Sequence, residues 1–184
     1  RTFFIRLLGQ EYNGINGLFT NILSVLNLAE LGFAYSIAYA LYAPLQSGSK
    51  ETICAIMNFL RKIYYIIAFT VGIAGLCCLP FLQYLIKEDL STLPFALNQI
   101  RIYFAIYLGN TVFSYIWSYK RTLITADQKN YLVSNADNLS NILLYGVQIA
   151  LLFITKNYYL YLSLMLVKTV VTNLVLTAIA NKRY

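Results

Sequence analysis

The feature that most constrains this chain is a series of long apolar blocks separated by short polar connections. The block IYYIIAFTVGIAGLCCLPFLQYLI, residues 63–86, contains no charged residue. A helix needs about 20 apolar residues to cross a hydrocarbon core about 30 Å thick. Several blocks reach that length, and none shows the strict alternation of a transmembrane β-strand. The sequence therefore predicts an integral membrane protein that is all-α.

Composition and charge agree with this class. Only 11% of the residues are charged and 59% are hydrophobic, and the mean hydropathy is +0.62. Soluble domains carry roughly a quarter charged residues. The net charge of +7 is more typical here of basic loops that face the cytoplasm and anionic lipid than of a nucleic-acid-binding protein.

We expect a polytopic transmembrane helix bundle with five complete spans and the end of an incomplete first span. The chain begins on RTFFIRLLG without Met, which predicts a fragment. The incomplete span covers residues 1–8. The complete spans, numbered two to six, cover residues 15–42, 63–86, 95–119, 131–155 and 158–180.

The connections between spans hold most of the charge and predict the orientation of the bundle. Basic residues occur on every second connection: Lys50, Arg61 and Lys62, then Lys120, Arg121 and Lys129, then Lys182 and Arg183. The positive-inside rule assigns these connections to the cytoplasm. Arg1 and Arg6 fall on the opposite side and do not follow the rule.

Tyrosines and one proline predict further features of the spans. Tyrosines near span ends predict an aromatic belt at the lipid headgroups. The predicted belt residues are Tyr42, Tyr64, Tyr65, Tyr84, Tyr119, Tyr131, Tyr158 and Tyr159. Pro80 lies late in span three and predicts a kink, because proline lacks the amide hydrogen that a helix needs.

Two ionisable side chains lie deep inside apolar blocks, where charge is costly unless it faces a bundle interior or a wet cavity. Glu30 lies near the middle of span two, and Asn27 shares its helix face at about 100° per residue. Lys168 lies about 15–18 Å from either end of span six, so it can snorkel only part of the way to water. Two roles stay open for Glu30 and Lys168: a mutual structural ion pair, or direct contact with a substrate.

Span five carries the longest polar stripe. Its members lie within about 80° of arc at helical spacing: Ser134, Asn138, Asn141, Tyr145 and Gln148, with Asp137 at the edge. The stripe predicts either interhelical hydrogen bonds, which contribute about 0.6–2 kcal/mol each, or the wall of a hydrophilic cavity. Arg101 lies in the first two turns of span four and is either an interfacial anchor or a cavity residue.

The residue types that the sequence lacks limit its chemistry. The sequence has no histidine, and it has no G-x-x-x-x-G-K-[ST] loop for ATP. Its three cysteines lack metal or disulfide spacing. The connections are too short for a catalytic pocket, so we expect no enzyme, no cofactor and no metal site. The same argument disfavours a polysaccharide polymerase or ligase, which needs a sizeable extracytoplasmic loop.

Four stretches of the chain together resemble a known family. They are LGQEYNGINGLFTNILSVLNLAELGFAYSIAYALYAPL, FLRKIYYIIAFTVGIAGLCCLPFL, YKRTLITADQKNYLVSNADN and NYYLYLSLMLVKTVVTNL. This sequence resembles the early part of the O-antigen flippase type of polysaccharide transporter, within the multidrug, oligosaccharidyl-lipid and polysaccharide exporter superfamily. The resemblance covers essentially the whole chain, and the combination of LAELG, LYAPL and ADQKNY is its most specific part.

The resemblance implies a fold and a function. Family members have two six-helix lobes around a central cavity, so this chain would be the first lobe with most of its first helix missing. It would flip an undecaprenyl-pyrophosphate-linked oligosaccharide across the cytoplasmic membrane during O-antigen or capsule biosynthesis, coupled to an ion gradient. The implied partners are this substrate, membrane lipid, a coupling ion and polysaccharide assembly proteins.

The candidate substrate-binding or cavity residues are Glu30, Asn27, Arg101, Asn138, Asn141, Gln148 and Lys168. Lys120 and Arg121 are further candidates for contact with the pyrophosphate. The alternative function is a drug or metabolite/cation antiporter of the same superfamily, whose cavity would be apolar or acidic. A membrane scaffold without transport activity also stays open.

Overall fold

A computed structural model describes residues 9–27, 33–85, 96–155 and 157–183. These residues form seven α-helices and one 3₁₀ turn, and no strand occurs among them. The helices are α1 (Gln10–Asn27), α2 (Phe33–Ser47), α3 (Lys50–Cys78), α4 (Leu82–Leu85), α5 (Leu97–Ala126), α6 (Asn130–Thr155) and α7 (Tyr158–Arg183). The all-α class predicted from the apolar blocks is confirmed.

Among the described residues, three helical segments are long and apolar enough to cross a membrane: Lys50–Tyr84, α6 and α7, which correspond to the predicted spans three, five and six. Their outer faces carry many large apolar side chains, such as Phe69 of α3 and Ile142 and Ile154 of α6. A soluble helix directs charged residues toward water and apolar residues toward the core. The opposite arrangement here is the one expected of a membrane protein.

Two helices extend beyond the predicted spans. The helix α3 begins at Lys50 rather than at 63, and α5 continues to Ala126 rather than ending at 119. The predicted connections on this side are therefore largely helical, and only residues 127–129 join α5 to α6. Lysine and arginine end an apolar block, but they are good helix formers. The charge pattern therefore predicts where the membrane-spanning segment ends, whereas the helix itself continues further.

The described residues leave part of the predicted topology open. The incomplete first span (1–8), the middle of span two (28–32) and the connection after span three (86–95) lie outside them. Pro80 lies in the 3₁₀ turn Leu79–Phe81, which follows the end of α3 at Cys78. The helix is thus interrupted where the proline predicted a kink, because the ring cannot supply an amide hydrogen.

The helix α5 is the centre of the bundle, with α3 packed against one part of it and α7 against another. It runs antiparallel to α3, since Gly72 approaches Val112 and Gly75 approaches Leu108. The largest core residues include Phe19, Leu41, Leu60, Phe104 and Leu162, all buried. A second, smaller core of Ile124, Val133, Leu176 and Ala180 lies near the C-terminal end of α7.

The packing directions bring the basic connections together. Lys120 donates to Asn181 over 2.7 Å, so the C-terminal ends of α5 and α7 are neighbours. The turn at 127–129 lies at the same end, and so does the N-terminal part of α3, where Tyr64 contacts Thr122. We call this end, which holds Lys120, Lys129 and Lys182, the basic end. It agrees with the predicted alternation of charge.

The exposure of the tyrosines agrees with the predicted aromatic belt for only some of them. Tyr42, Tyr65, Tyr84 and Tyr131 are exposed as predicted, whereas Tyr119 and Tyr159 are half-buried. The prediction is wrong for Tyr64 and Tyr158, which are buried. A tyrosine ring packs well in a core when its hydroxyl finds a partner, and a position near a span end does not exclude this.

Candidate functional site

The strongest polar contact inside the bundle joins α5, α6 and α7. The Arg121 guanidinium donates from Nη1 and Nη2 to the two carboxylate oxygens of Asp137, over 2.8 and 2.9 Å. Its Nε donates to Oδ1 of Asn173 over 3.0 Å. This fork geometry is specific to arginine and is stronger than a contact between neutral groups. One side chain therefore ties three helices together.

The local sequence explains why these residues meet. The short turn at 127–129 reverses the chain, so the last turns of α5 lie beside the first turns of α6. Gln128 adopts a positive φ of 57° in this turn. The helix α7 runs parallel to α5, which brings Asn173 to the level of Arg121.

Lys168 is the fourth member of what we call the charged cluster: Arg121, Asp137, Lys168 and Asn173. It is half-buried on α7, and the charged groups that act on it within the described ranges are Asp137 and Arg121. The cluster thus contains two cations and one carboxylate, an excess of one positive charge. Glu30, the predicted partner of Lys168, lies outside the described residues, so that ion pair stays a prediction.

The cluster is sealed on one side and accessible on the other. Asn173 is 2% exposed, whereas the side chains of Arg121 and Asp137 are 30% and 32% exposed. Thr172 is also buried, and its hydroxyl has no hydrogen-bond partner among the described residues. A polar ligand can therefore reach Arg121 and Asp137 from the open side.

The chemistry of the cluster suits an anion better than a metal. Arginine and lysine are donors only, and both favour phosphate or carboxylate oxygens. Metal ions of the magnesium and calcium type require several oxygen ligands. Within the part of the chain that the structure describes, no three histidine, cysteine or acidic side chains converge as metal ligands.

The predicted polar stripe of α6 is divided between two environments. Gln148 is 2% exposed, and its Nε2 donates to the carbonyl oxygen of Tyr161 over 3.0 Å. Asn138 and Ser134 are exposed, and Asn141 is half-buried. The stripe thus runs along the border between the packed and the open face of α6. Among the described contacts, Gln148 is the one amide of the stripe that forms an interhelical hydrogen bond, as predicted.

The other predicted site residues do not join the charged cluster. Arg101 is half-buried in the second turn of α5, near the end opposite to the basic end, and its Nε has no hydrogen-bond partner within the described residues. Asn27 is the last residue of α1, and its side chain lies outside the described part, as does all of Glu30. Among the predicted residues that the structure describes, Lys168 is therefore the one on which Arg121 and Asp137 act electrostatically.

A second polar centre, which we call the tyrosine end, lies at the opposite end of the bundle. Oδ1 of Asn16 accepts hydrogen bonds from the Tyr107 hydroxyl, over 2.9 Å, and from the Tyr158 hydroxyl. The Tyr158 ring lies 4.6 Å from that of Tyr103 and 4.9 Å from that of Tyr12. Such tilted aromatic pairs add about 0.5–1.5 kcal/mol each beyond their burial. This end joins α1, α5 and α7.

Sequence reasoning missed two of these residues although a signal was present. Asn173 is an amide inside the apolar run VVTNLVL, the same signal that selected Gln148. Asn16 is an amide in the run YNGINGLF at the start of predicted span two. Arg121 and Asp137 were each noticed, but their pairing depends on the turn between α5 and α6.

Comparisons with models of protein families, with curated proteins and with solved structures found no match for this chain.

Proposed function

We propose that this chain is a lobe of a membrane transporter that flips a lipid-linked oligosaccharide, carried on undecaprenyl pyrophosphate, across the cytoplasmic membrane. The observation that carries the proposal is the charged cluster: a partly exposed arginine fork with a second cation, set among apolar helices. Asp137 and Lys168 lie within predicted spans, where charge is costly and in membrane proteins marks substrate or ion pathways, and Arg121 lies just beyond the predicted end of span four.

The cluster matches the anionic part of this substrate. A pyrophosphate offers several oxygens to the guanidinium of Arg121 and to the ammonium of Lys168, and charge-assisted contacts of this kind are the strong ones. The exposed amide and hydroxyl of Asn138 and Ser134 offer hydrogen bonds to a glycan along the same helix. The apolar outer faces leave the prenyl chain in the lipid.

In the proposed cycle, the carboxylate of Asp137 and the substrate compete for Arg121. Without substrate, Asp137 occupies both terminal nitrogens of the guanidinium. An arriving pyrophosphate takes these donors and releases the carboxylate, which then binds a proton or another cation. Binding of the anion and of the coupling ion are thereby linked through one side chain. Under the positive-inside rule the basic end faces the cytoplasm, where the substrate is assembled and the assembly proteins act.

The test uses the complete protein in liposomes that contain undecaprenyl-pyrophosphate oligosaccharide with a fluorescent tag. A membrane-impermeant quencher reports the fraction of tag that reaches the outer leaflet. We expect Arg121→Gln and Lys168→Gln each to slow flipping roughly tenfold or more, since a contact to a charged group contributes about 1.5 kcal/mol or more.

The matched control is Lys129→Gln. Lys129 lies at the same end of the bundle but pairs with Asp127 in the turn, outside the charged cluster. We expect this variant to keep the wild-type rate. Flipping at the wild-type rate in both Arg121→Gln and Lys168→Gln, with both proteins correctly folded, would contradict the proposal.

The antiporter alternative is favoured by one observation, the partly exposed carboxylate of Asp137 inside the bundle. A cationic drug or metabolite would bind to Asp137 after its release from Arg121. In that case Arg121→Gln would strengthen cation transport and Asp137→Asn would abolish it. The same liposomes, loaded with a fluorescent organic cation and a proton gradient, distinguish the two functions.

A further inference from the structure

An apolar groove of about 410 Å³ lies on the surface between α3 and α5. None of its lining residues belongs to α6 or α7, so it is separate from the charged cluster. The groove is lined by Tyr65, Ala68, Phe69, Gly72, Ile73, Leu76, Val112 and Ile116. The absence of a side chain at Gly72 provides part of the space.

On each of the two helices, a basic residue lies one turn beyond the last residue that lines the groove. Arg61 lies one turn before Tyr65 on α3, and Lys120 lies one turn after Ile116 on α5. Residues four apart lie on the same helix face. Because α3 and α5 are antiparallel, both cations lie at the basic end of the groove.

Each of these two cations lies over an aromatic ring, and the Lys120 ammonium also donates to Oδ1 of Asn181 over 2.7 Å. The Arg61 Nε donates to the Tyr65 hydroxyl over 3.3 Å, and its guanidinium lies 5.3 Å from the centre of that ring. The Lys120 ammonium lies 5.5 Å from the centre of the Tyr119 ring. Arg61 also contributes to the electrostatic field at Lys120.

Within the described ranges, neither Arg61 nor Lys120 forms an ion pair with a carboxylate. The ion pairs found there join Arg121 to Asp137 and Lys129 to Asp127. Two neighbouring cations without an acidic partner leave a local excess of positive charge. Basic pockets between helices on the cytoplasmic side are known to attract anionic lipid headgroups.

The length of the groove also fits a lipid. Residues 65 to 76 span about 16 Å along α3 at helical rise, which is about half of a hydrocarbon core of about 30 Å. An apolar channel as deep as one leaflet, with positive charge at the headgroup level, matches an acyl chain that ends in a phosphate. A partner helix would instead be expected to continue through both leaflets.

We propose that this groove binds an anionic diacyl phospholipid of the leaflet at the basic end, with one acyl chain along Gly72 and the phosphate between Arg61 and Lys120. This site does not depend on the proposed transport substrate, which is assigned to Arg121 and Lys168 rather than to Arg61 and Lys120. Its occupant is a resident lipid that remains in one leaflet.

Trp117 is the natural probe for this site. It is the only tryptophan of the chain, follows the lining residue Ile116, and stacks on Phe113 with ring centres 6.4 Å apart. Bromine atoms on a nearby acyl chain quench tryptophan fluorescence. The experiment therefore reconstitutes the full chain in vesicles and titrates either brominated phosphatidylglycerol or brominated phosphatidylcholine.

We expect brominated phosphatidylglycerol to reach half-maximal quenching at a roughly fivefold lower mole fraction than brominated phosphatidylcholine. This ratio corresponds to about one favourable contact between a surface cation and an anionic headgroup. The double variant Arg61→Gln/Lys120→Gln should remove this preference. The matched control, Lys62→Gln, removes one cation next to Arg61 on α3, off the groove lining, and should retain it. Gly72→Leu should reduce quenching by both lipids, because a Cβ at Gly72 already reaches Val112 at 3.5 Å.

Several results would overturn the proposal. Equal quenching by the two lipids would exclude a site that selects anionic lipid. If Lys62→Gln lost the preference as completely as the double variant, the preference would come from diffuse surface charge rather than from Arg61 and Lys120. No quenching by either lipid would mean that a helix or a second copy covers the groove. Quenching that is relieved by a polyprenyl phosphate, without any preference for phosphatidylglycerol, would assign the groove to an isoprenoid.

Discussion

The tyrosine end and the charged cluster are both polar centres inside apolar helices, yet they differ in charge and in exposure. At the tyrosine end the groups are neutral, and Tyr103 and Tyr158 are 3% and 2% exposed. In the charged cluster, Arg121 and Asp137 are each about a third exposed. Neutral hydroxyls and amides can satisfy one another in a dry core, whereas ions lose too much hydration to be sealed there without cost.

The difference between these regions indicates a division of roles. The neutral network at Asn16 joins α1, α5 and α7 at one end and pairs its polar groups with one another. The charged cluster joins α5, α6 and α7 at the other end and keeps an accessible side. We therefore expect substitutions at the tyrosine end to change stability alone, and substitutions in the charged cluster to change stability and transport together.

The largest effect is expected for Asp137→Asn. Removal of the carboxylate leaves the Arg121 guanidinium partly buried without its counterion, and we expect the free energy of unfolding to fall by roughly 2 kcal/mol. Thermal unfolding in detergent, followed by circular dichroism, measures the change. Asp127→Asn is the control, since its pair with Lys129 lies in the turn and a surface pair contributes at most about 1 kcal/mol. Equal destabilisation by both variants would contradict the importance of the cluster.

The next effect is expected for Asn16→Leu. This variant removes the acceptor shared by the Tyr107 and Tyr158 hydroxyls and should cost about 1.5 kcal/mol of stability. The flipping rate of the folded protein should not change. The control is Thr20→Val, one turn further along α1, where the side chain is exposed. A large loss of transport in Asn16→Leu would remove the proposed contrast between the two regions.

A smaller effect is expected between the two regions, where α3 crosses α5. A Cβ at Gly75 would lie 2.3 Å from Cδ1 of Leu108, so Gly75→Ala should destabilise by about 1 kcal/mol through overpacking. Gly146→Ala is the control, because nothing lies within 4 Å of the added carbon and alanine favours a helix by up to about 1 kcal/mol. The two alanines should shift the unfolding temperature in opposite directions.

The smallest effect on stability is expected on the polar stripe of α6. Gln148→Leu removes one interhelical hydrogen bond and should cost about 0.6 kcal/mol, without slowing the flipping of the lipid-linked glycan. Asn138→Leu should leave stability unchanged and slow flipping, because Asn138 is exposed. If Gln148→Leu stops transport and Asn138→Leu does not, the proposed roles are wrong: Gln148 rather than Asn138 would then contact the glycan.

The class of the fold could be predicted from the sequence, whereas the site could be predicted only in part. Apolar blocks without charge, such as residues 63–86, permit few structures other than helices in lipid. Lys168 could be predicted as a site residue because ammonium groups are rare at such depth, and Asp137 and Arg121 do act on it electrostatically. The pairing of Arg121 with Asp137 was not predicted, because helical periodicity gives the face of one helix and not its rotation against the next.

Helix ends show the same limit. Lys50 and Ala126 mark the ends of helices that continue beyond the apolar blocks, because hydropathy responds to the solvent and helix formation to backbone hydrogen bonds. The burial of Tyr158 shows the same limit. Its position near a span end predicted the lipid interface, yet it packs against Tyr12, Tyr103 and Asn16.

The sequence by itself determined that this chain is helical, that it contains apolar blocks long enough to cross a membrane, and that its basic residues alternate between connections. These properties follow from the composition of contiguous segments. Only the tertiary structure decided which polar side chains are enclosed and which are accessible, because contacts such as Arg121 with Asp137, or Asn16 with Tyr107, join residues of different helices whose relative rotation and depth are set by packing.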